Sequence, residues 1–338
     1  MSPYADLPKR AFWKAGVLGQ DPTAICDLYL RKFEIRPRDR IAIAGTGFAR
    51  HLNKALRMNG YRVLDLEPAP PWLDAGTLHA HGYGANSARL GEIQTARQLL
   101  QLAREALEGF IPSEVVWSRK GRFHDAHRPG VDPRGLDSAD EVLGLRADHL
   151  GCVREMFETM NVLFVSLGQI EAWADLTGET VFPTAPGTIA GTWDEARYRF
   201  FVQSAAEVLT HLKAFRDLIA SVTRNARMIV SVSPAAPAAT GSDAHVLVAS
   251  AASKAALRTA MGEFAAQDPG VDYFPLHDLV SSPAACGAFL GPDLGSLSES
   301  GRAAVLRMFF DQHPPVAGDE SIALSDEQEE ELLEAFAR

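Results

Sequence analysis

Cysteine is scarce in this chain, with three residues, Cys26, Cys152 and Cys286, spread over 338 positions. An odd number of cysteines at wide spacing forms neither a disulfide framework nor the paired ligands of a zinc site. We therefore interpret these residues as small buried hydrophobic side chains of a protein in a reducing compartment.

The chain also lacks an excess of positive charge and any long hydrophobic run. Its 33 Lys and Arg residues stand against 43 Asp and Glu residues, which gives a net charge of −10 and disfavours a nucleic-acid partner. No stretch approaches about 18 uninterrupted apolar residues, so no membrane partner is expected. The opening residues lack the basic and then apolar pattern of a signal peptide, and the expected location is the cytoplasm.

Short apolar runs alternate with longer segments in which apolar residues recur three and four positions apart. This alternation predicts βαβ units, and hence a mainly parallel sheet covered by helices on both faces. The predicted strands are Arg40–Ala44, Arg62–Leu66, Val115–Trp117, Val162–Ser166, Met228–Val232 and Val271–Phe274. The predicted helices are Phe48–Asn59, Glu92–Glu108, Ala139–Thr159, Trp193–Thr223, Asp243–Gln267 and Ser298–Phe310.

The domain organisation follows from where this alternation begins and ends. We expect one α/β domain over residues 40–315, with residues 1–39 forming an arm that packs on it. Residues 316–338 predict a separate acidic helix, because Ser325 and Gln328 have the spacing of a capping box and Leu332 and Phe336 supply an apolar side. The sequence leaves a homo-oligomer open.

The segment Gly45-Thr46-Gly47 directly follows the first predicted strand and precedes a predicted helix. Glycines allow a tight turn and a close approach of a ligand to the backbone. One interpretation is a dinucleotide or S-adenosylmethionine site, since the pattern fits part of G-x-G-x-x-G and Asp65 or Glu67 follows about 20 residues later. Arg50 stands where that pattern needs a small residue.

A second interpretation rests on motifs along nearly the whole chain. The sequence resembles the GSCFA family, a branch of the SGNH/GDSL-type hydrolase superfamily, with Gly45–Ala49 in place of the Gly-Ser-Cys-Phe-Ala motif. The resemblance implies a flavodoxin-like three-layer α/β/α sandwich with a five-stranded sheet. The other matching segments are Phe12–Val17, Asp65–Pro70, Thr95–Leu102, Ser166–Trp173, Val232–Pro234, Ser253–Arg258 and Asp272–Pro275.

The resemblance implies an esterase or O-acyltransferase that acts without a cofactor on a small acyl ester, such as acetyl on a sugar or a small metabolite. Thr46 is then the nucleophile, or a hydroxyl anchor for the substrate. The turn around Thr46 and the loops after the neighbouring strands supply the oxyanion and substrate-binding groups. The residues carried over to this role are Gly45, Gly47, Gly91, Glu92 and Gly168.

Several side chains depart from the family pattern. Thr46 replaces a serine, Glu92 replaces an expected asparagine, and Asp293 is followed by no histidine three residues later. Ile170 and Val202 also stand where hydrogen-bonding side chains are expected. These departures favour an alternative in which the chain keeps the fold as a binding or scaffold protein without the chemistry.

Other residues are candidates for the base and for substrate contacts. His245 ranks first and His277 second as the general base, and Glu171 is a candidate acid beside Trp173. Arg97 and Lys254 are open to two interpretations: they anchor an anionic substrate or lock loops beneath the site, or they are ordinary helix-surface cations, solvated or paired with a neighbouring acid. No metal site is expected from His79 and His81, which have no aligned carboxylate.

Overall fold

A computed structural model describes residues 2–316 of the chain. These residues form ten β-strands. In chain order the strands are β1 (Arg40–Gly45), β2 (Arg62–Val63), β3 (Val116–Arg119), β4 (Arg122–Asp125), β5 (Val162–Leu167), β6 (Glu171–Asp175), β7 (Val181–Phe182), β8 (Tyr198–Val202), β9 (Arg227–Val232) and β10 (Val271–Tyr273). The α-helices are α1 (Phe48–Met58), α2 (Ala75–Ala80), α3 (Ala96–Glu108), α4 (Ala139–Thr159), α5 (Ala205–Val222), α6 (Val246–Gln267), α7 (Leu276–Val280) and α8 (Glu299–Gln312).

Five strands form the central sheet in the order β10-β9-β5-β1-β2, and all pair in parallel. If these five strands are renumbered in chain order and the sheet is read from β2, the strand order is 2-1-3-4-5. This is the order of flavodoxin-like doubly wound folds. The strands of this sheet were predicted from short apolar runs, because a strand that is covered on both faces needs apolar residues at every position. The predicted α/β class with a five-stranded parallel sheet is confirmed.

Two hydrophobic layers cover the sheet, and each strand contributes alternate residues to them. Ala42 and Ala44 of β1 face the layer that contains α3, α4, α5 and α6. Ile41 and Ile43 face the layer that contains α1, α7 and α8. The alternation follows from the two-residue period of a strand and produces the three-layer α/β/α arrangement.

Two small antiparallel sheets extend from the carboxyl end of the central sheet. The hairpin β3–β4 lies between α3 and α4 in the chain, and the sheet β7-β6-β8 lies between β5 and α5. The predicted strand Val115–Trp117 therefore corresponds to β3, which pairs only with β4.

The predicted helix Trp193–Thr223 is wrong over its first third. Tyr198–Val202 forms β8, because its aromatic residues pair with β6. The helix begins only after Ser204, which forms a capping box with Glu207. Helix α3 likewise begins at Ala96 rather than at residue 92, because Thr95 and Gln98 form a capping box there.

The last part of the segment before β1 packs against the body of the domain. Tyr29 and Ile35 are buried in the layer of α1 and α8, whereas most of residues 2–28 are exposed. The Tyr29 hydroxyl donates a hydrogen bond to Asp272 Oδ2 at 2.9 Å, and the Lys32 N–H donates to the same oxygen at 2.8 Å. The predicted acidic helix of residues 316–338 falls almost entirely outside the described residues. Within residues 2–316 no helix combines the length and apolarity needed to span a membrane.

Candidate functional site

The turn after β1 is fixed by a close approach of two backbones. Gly45 has a φ of 136°, and a Cβ at this position would lie 2.3 Å from the carbonyl oxygen of Ser166. Only glycine fits such a position. The Thr46 N–H continues the pairing with β5 by donating to the Ser166 carbonyl at 3.2 Å. Thr46 therefore lies between β1 and β5, where the order of the central sheet reverses and where such folds bind ligands.

Thr46 is 4% exposed, and its Oγ1 has no hydrogen-bond partner within residues 2–316. The Oδ1 atom of Asn86, a residue 6% exposed, likewise lacks a partner. A buried polar atom without a partner costs about 1–3 kcal/mol, so native proteins keep few of them. Two such atoms in one place mark it as a candidate functional site.

Both residues line a cavity of about 480 Å³, which we call the β1 cavity. Its volume lies within the usual range for small-molecule sites. Much of its wall is backbone, and beside Gly47 an added Cβ would meet no atom within 4 Å. The residues that define it are Gly45, Thr46, Gly47, Arg50, His79, Gly82, Asn86, Gly91, Glu92, Gln94, Arg128, Gly130, Pro183, Thr184 and Ile189.

The N-terminus of α1 opens onto the β1 cavity. Gly47 is the N-cap residue and has no side chain to cap the helix. The Ala49 N–H donates to the Thr46 carbonyl at 2.8 Å, and the other N–H groups of the first turn have no acceptor inside the helix. The helix dipole adds partial positive charge there. This end of the cavity is therefore suited to bind a carbonyl oxygen or an anion.

Arg50 and Glu92 supply charge to the cavity wall. Arg50 is half-buried, and burial lowers the pKa of its guanidinium while Glu92 opposes this shift. Its Nη1 contacts His79 Nδ1. Glu92 is exposed and accepts a hydrogen bond from Gln94 Nε2 at 2.7 Å.

Five residues expected to form the oxyanion and substrate-binding groups lie around Thr46. Gly45, Gly47, Gly91 and Glu92 line the β1 cavity. Gly168 lies behind Thr46, because a Cβ on it would be 3.6 Å from the Thr46 methyl group and 2.7 Å from Gln94 Oε1. The structure thus brings these predicted residues together.

Lys254 lies beneath this group without lining the cavity. Its Nζ donates to the carbonyl oxygens of Gly168 at 2.7 Å and Ala235 at 2.8 Å. Burial lowers the pKa of Lys254 to about 8. The ammonium group thereby joins the loops that follow β5 and β9.

The residues expected as acid and base do not line the β1 cavity. His245 is an exposed N-cap of α6, and its Nδ1 accepts a hydrogen bond from the Leu247 N–H at 3.2 Å. His277 lies on α7 beside Ser281 Oγ at 3.0 Å, and burial lowers the pKa of its imidazole. Glu171 accepts a hydrogen bond from the Thr240 hydroxyl at 2.7 Å.

Arg97 also lies away from the β1 cavity. Its guanidinium lies over the ring of Phe201, 5.1 Å from the centroid. Burial and the nearby charge of Arg199 lower the pKa of Arg97. Arg97 therefore packs on an aromatic residue of β8.

A buried set of charged residues borders the cavity, and sequence reasoning did not find it. We call it the ion-pair cluster, and it consists of Glu67, Glu105, Asp125, Arg128, Arg146 and His149. Asp125 accepts from Arg128 Nε at 2.8 Å and from Arg146 Nη1 at 3.0 Å. Arg146 also pairs with Glu105. The sequence signal was slight, namely an acid and an arginine three residues apart in a Pro- and Gly-rich loop.

Glu67 shows how strongly the ion-pair cluster acts on its members. Burial alone would raise the pKa of this carboxyl, but a hydrogen bond from His149 and the charge of Arg128 outweigh burial and hold it at about 2. The His149 Nδ1 lies 2.6 Å from Glu67 Oε2. Arg128 is the member that also reaches the β1 cavity.

The dinucleotide interpretation needs a free carboxylate after β2 to bind a ribose hydroxyl. Glu67 is engaged in the ion-pair cluster, and Asp65 lies 3.9 Å from the guanidinium of Arg57. Neither residue lines the β1 cavity.

Among residues 2–316 no three His, Cys, Asp or Glu side chains are grouped so that they could hold a metal ion.

Comparison with known proteins supports one relationship. A model of the GSCFA family matches residues 40–309, from the start of β1 into α8. No curated protein and no solved structure matches the chain. The matched region contains both the β1 cavity and the ion-pair cluster.

Proposed function

The chain belongs to the GSCFA family, and on that premise we propose that it binds a small acylated molecule in the β1 cavity. The observation that supports this is the position of Thr46 at the N-terminus of α1, where its buried hydroxyl has no hydrogen-bond partner among residues 2–316. An acyl carbonyl there accepts hydrogen bonds from the first N–H groups of α1, and the Thr46 hydroxyl donates to another oxygen of the ligand.

The same geometry favours binding over rapid ester hydrolysis. A threonine nucleophile needs a neighbouring base to take its proton. His245 and His277 lie outside the cavity wall, and Glu171 is bound by Thr240. The methyl group of threonine further restricts the rotation that an attacking hydroxyl needs. Binding without fast chemistry is therefore the function that the site supports best.

Esterase or O-acyltransferase activity is the second candidate, and two observations favour it. The N-terminus of α1 is placed to stabilise an oxyanion that forms next to Thr46. Glu92 provides a carboxylate in the same cavity that can accept a proton through a water molecule. The resemblance to acyl-processing enzymes gives acetyl esters of sugars or small metabolites as the first compounds to test.

The test combines binding and turnover in the wild type, Thr46→Ala and Thr46→Ser. We expect acetylated sugars to bind the wild type by calorimetry, and Thr46→Ala to bind them about fivefold more weakly, as one lost hydrogen bond implies. Thr210→Ala is the control, because Thr210 is exposed on α5 and its hydroxyl contacts only the Ala206 carbonyl.

Turnover of p-nitrophenyl acetate decides between the two candidates. We expect no hydrolysis above background for the wild type. Hydrolysis that Thr46→Ala abolishes would establish the second candidate in place of the first. Absence of binding by every acetylated compound, in a folded protein, would overturn the proposed function.

A further inference from the structure

Two arginines line the β1 cavity, and their surroundings differ. Arg128 donates to Asp125 and to the carbonyl oxygens of Arg89 and Leu145, so its guanidinium is fully engaged. Arg50 has no carboxylate within ion-pair distance in the described part of the chain, and the charge that acts on its pKa is that of Glu92 in the same cavity. Its contact is the neutral ring of His79. A half-buried guanidinium without a carboxylate partner is a group that can bind an anionic ligand.

His79 completes this end of the cavity as a donor. Because its Nδ1 faces the Arg50 guanidinium, that nitrogen must act as the acceptor. The neutral ring then carries its proton on Nε2, which is a hydrogen-bond donor. Arg50, His79 and the N-terminus of α1 together offer only donors and positive charge.

Hydrogen-bond acceptors lie elsewhere on the wall of the β1 cavity. Asn86 Nδ2 donates to the Gly91 carbonyl at 3.1 Å, which fixes the orientation of the amide. Its Oδ1 is then a buried acceptor with no partner in the described part of the chain. The Glu92 carboxylate adds further acceptor capacity, since Gln94 occupies one of its oxygens. These groups require donors on the ligand, and hydroxyl groups are the simplest that fit.

We propose that the acylated ligand is a polyhydroxy compound with an anionic group, such as a sugar acid or a sugar phosphate. Arg50 and the first turn of α1 bind the carboxylate or phosphate, and Asn86 and Glu92 accept hydrogen bonds from the hydroxyl groups. This inference rests on the proposed function, which places the ligand in the β1 cavity, and adds the chemical class of that ligand.

The experiment compares glucuronate, glucose 6-phosphate, glucose and inorganic phosphate by calorimetry with the wild type, Arg50→Gln and Arg154→Gln. Arg154 is the control, because it is exposed on α4 and lies 3.6 Å from Glu158. We expect the two anionic sugars to bind more tightly than glucose, and Arg50→Gln to weaken them at least about tenfold. Arg154→Gln should bind as the wild type does. The preference between glucuronate and the phosphate distinguishes a carboxylate from a phosphate ligand.

A second measurement needs no variant. The affinity of the wild type for glucuronate should fall as salt is raised from 50 to 500 mM, whereas its affinity for 6-O-acetylglucose should stay constant, because screening weakens only charge interactions. Inorganic phosphate should bind more weakly than glucose 6-phosphate, since it lacks the hydroxyl groups that Asn86 and Glu92 accept.

Three results would overturn this inference. They are equal binding of glucuronate and glucose, an unchanged affinity of folded Arg50→Gln for the anionic sugars, and equal binding of both phosphates. If 6-O-acetylglucose still binds in a way that depends on Thr46, the proposed function stands although the ligand class is wrong. If anionic sugars bind and no acetylated compound does, the acyl assignment fails while the anion site remains.

Discussion

The β1 cavity and the ion-pair cluster lie side by side, and they differ in whether their buried polar groups have hydrogen-bond partners in the protein. In the cluster, each carboxylate accepts hydrogen bonds from an arginine or a histidine of the protein. In the cavity, Thr46 Oγ1 and Asn86 Oδ1 have no partner within residues 2–316. Arg128 borders both regions, and its ion pairs are with Glu67 and Asp125 of the cluster. Polar groups that the protein satisfies itself hold the structure, and the two that it leaves unpaired at the β1 cavity are those on which the proposed ligand site rests.

The largest expected effect comes from breaking the cluster. Arg146→Met keeps most of the side-chain volume but leaves Asp125 and Glu105 buried without their shared cation. Removal of one partner from a buried ion pair typically costs 3–5 kcal/mol, so we expect a loss of about that size in urea unfolding. Arg154→Met, on the same helix but exposed, should change stability by less than about 1 kcal/mol. Equal losses in both variants would mean that the buried ion pairs of Arg146 add no more to the free energy of unfolding than an exposed arginine does.

The two glycines of the turn after β1 sharpen the comparison. Gly45→Ala should destabilise the protein by at least about 2 kcal/mol, because the new methyl group meets the Ser166 carbonyl and the φ of 136° is strained for alanine. Gly47→Ala should leave stability within about 1 kcal/mol, since its φ of −48° suits alanine and the space is open.

Ligand binding by Gly47→Ala gives the second half of this test. The added methyl group occupies the β1 cavity at the N-terminus of α1, so acetylated compounds should bind more weakly to a protein of normal thermal stability. A Gly47→Ala variant that binds ligand as the wild type does would place the ligand away from this turn. A Gly45→Ala variant with unchanged stability would contradict the described backbone contact.

The last comparison concerns pH and again separates the two regions. The pKa of Glu67 is about 2 in the folded protein and about 4.5 in an unfolded chain. Its contribution is therefore present above about pH 4.5 and is lost as pH falls towards 2. His149 acts in the same direction, because burial lowers the pKa of its imidazole and the unfolded chain takes up a proton below about pH 6.5.

Thermal unfolding between pH 7 and pH 2 checks this expectation. We expect the melting temperature to fall throughout this range, and Glu67→Gln to show a flatter profile between pH 4.5 and 2. Glu92→Gln is the comparison from the cavity side, since Glu92 is exposed and accepts a hydrogen bond from Gln94. If Glu67→Gln keeps the wild-type profile, the low pKa of Glu67 does not contribute to stability.

The central sheet was predictable because burial on both faces leaves a direct trace in the sequence. Each residue of Val162–Leu167 is buried, and each is apolar except Ser166. Helix α4 was predicted to the residue, since Ser138 caps its start and Asp140 and Glu141 suit its first turn. Strand β8 was missed because only Gln203 and Ser204 separate it from α5, and no glycine or proline marks the boundary.

The site was predictable only where the backbone determines it. Thr46 was found because the glycines beside it mark a sharp turn after a strand, and the turn lies where expected. The roles of His245 and His277 stay predictions, since the direction of a side chain on a loop or helix end depends on packing that the sequence does not state. The ion-pair cluster was missed for a related reason. Charged residues are usually solvated, and nothing local to Arg128 or Arg146 indicates that tertiary structure buries them.

One wall of the β1 cavity belongs to the small sheet β7-β6-β8, through Pro183, Thr184 and Ile189 in the segment between β7 and β8. That segment is an insertion between two neighbouring strands of the central sheet, and the parallel pairing of β5 with β9 does not involve it. Substitutions at an exposed position of this segment, such as Ile189, can therefore alter the cavity wall while the strands of the central sheet keep their pairing. Ala190, the next residue, is fully buried beside Trp117 and Phe182, so only part of the wall is free to change at little cost to the fold.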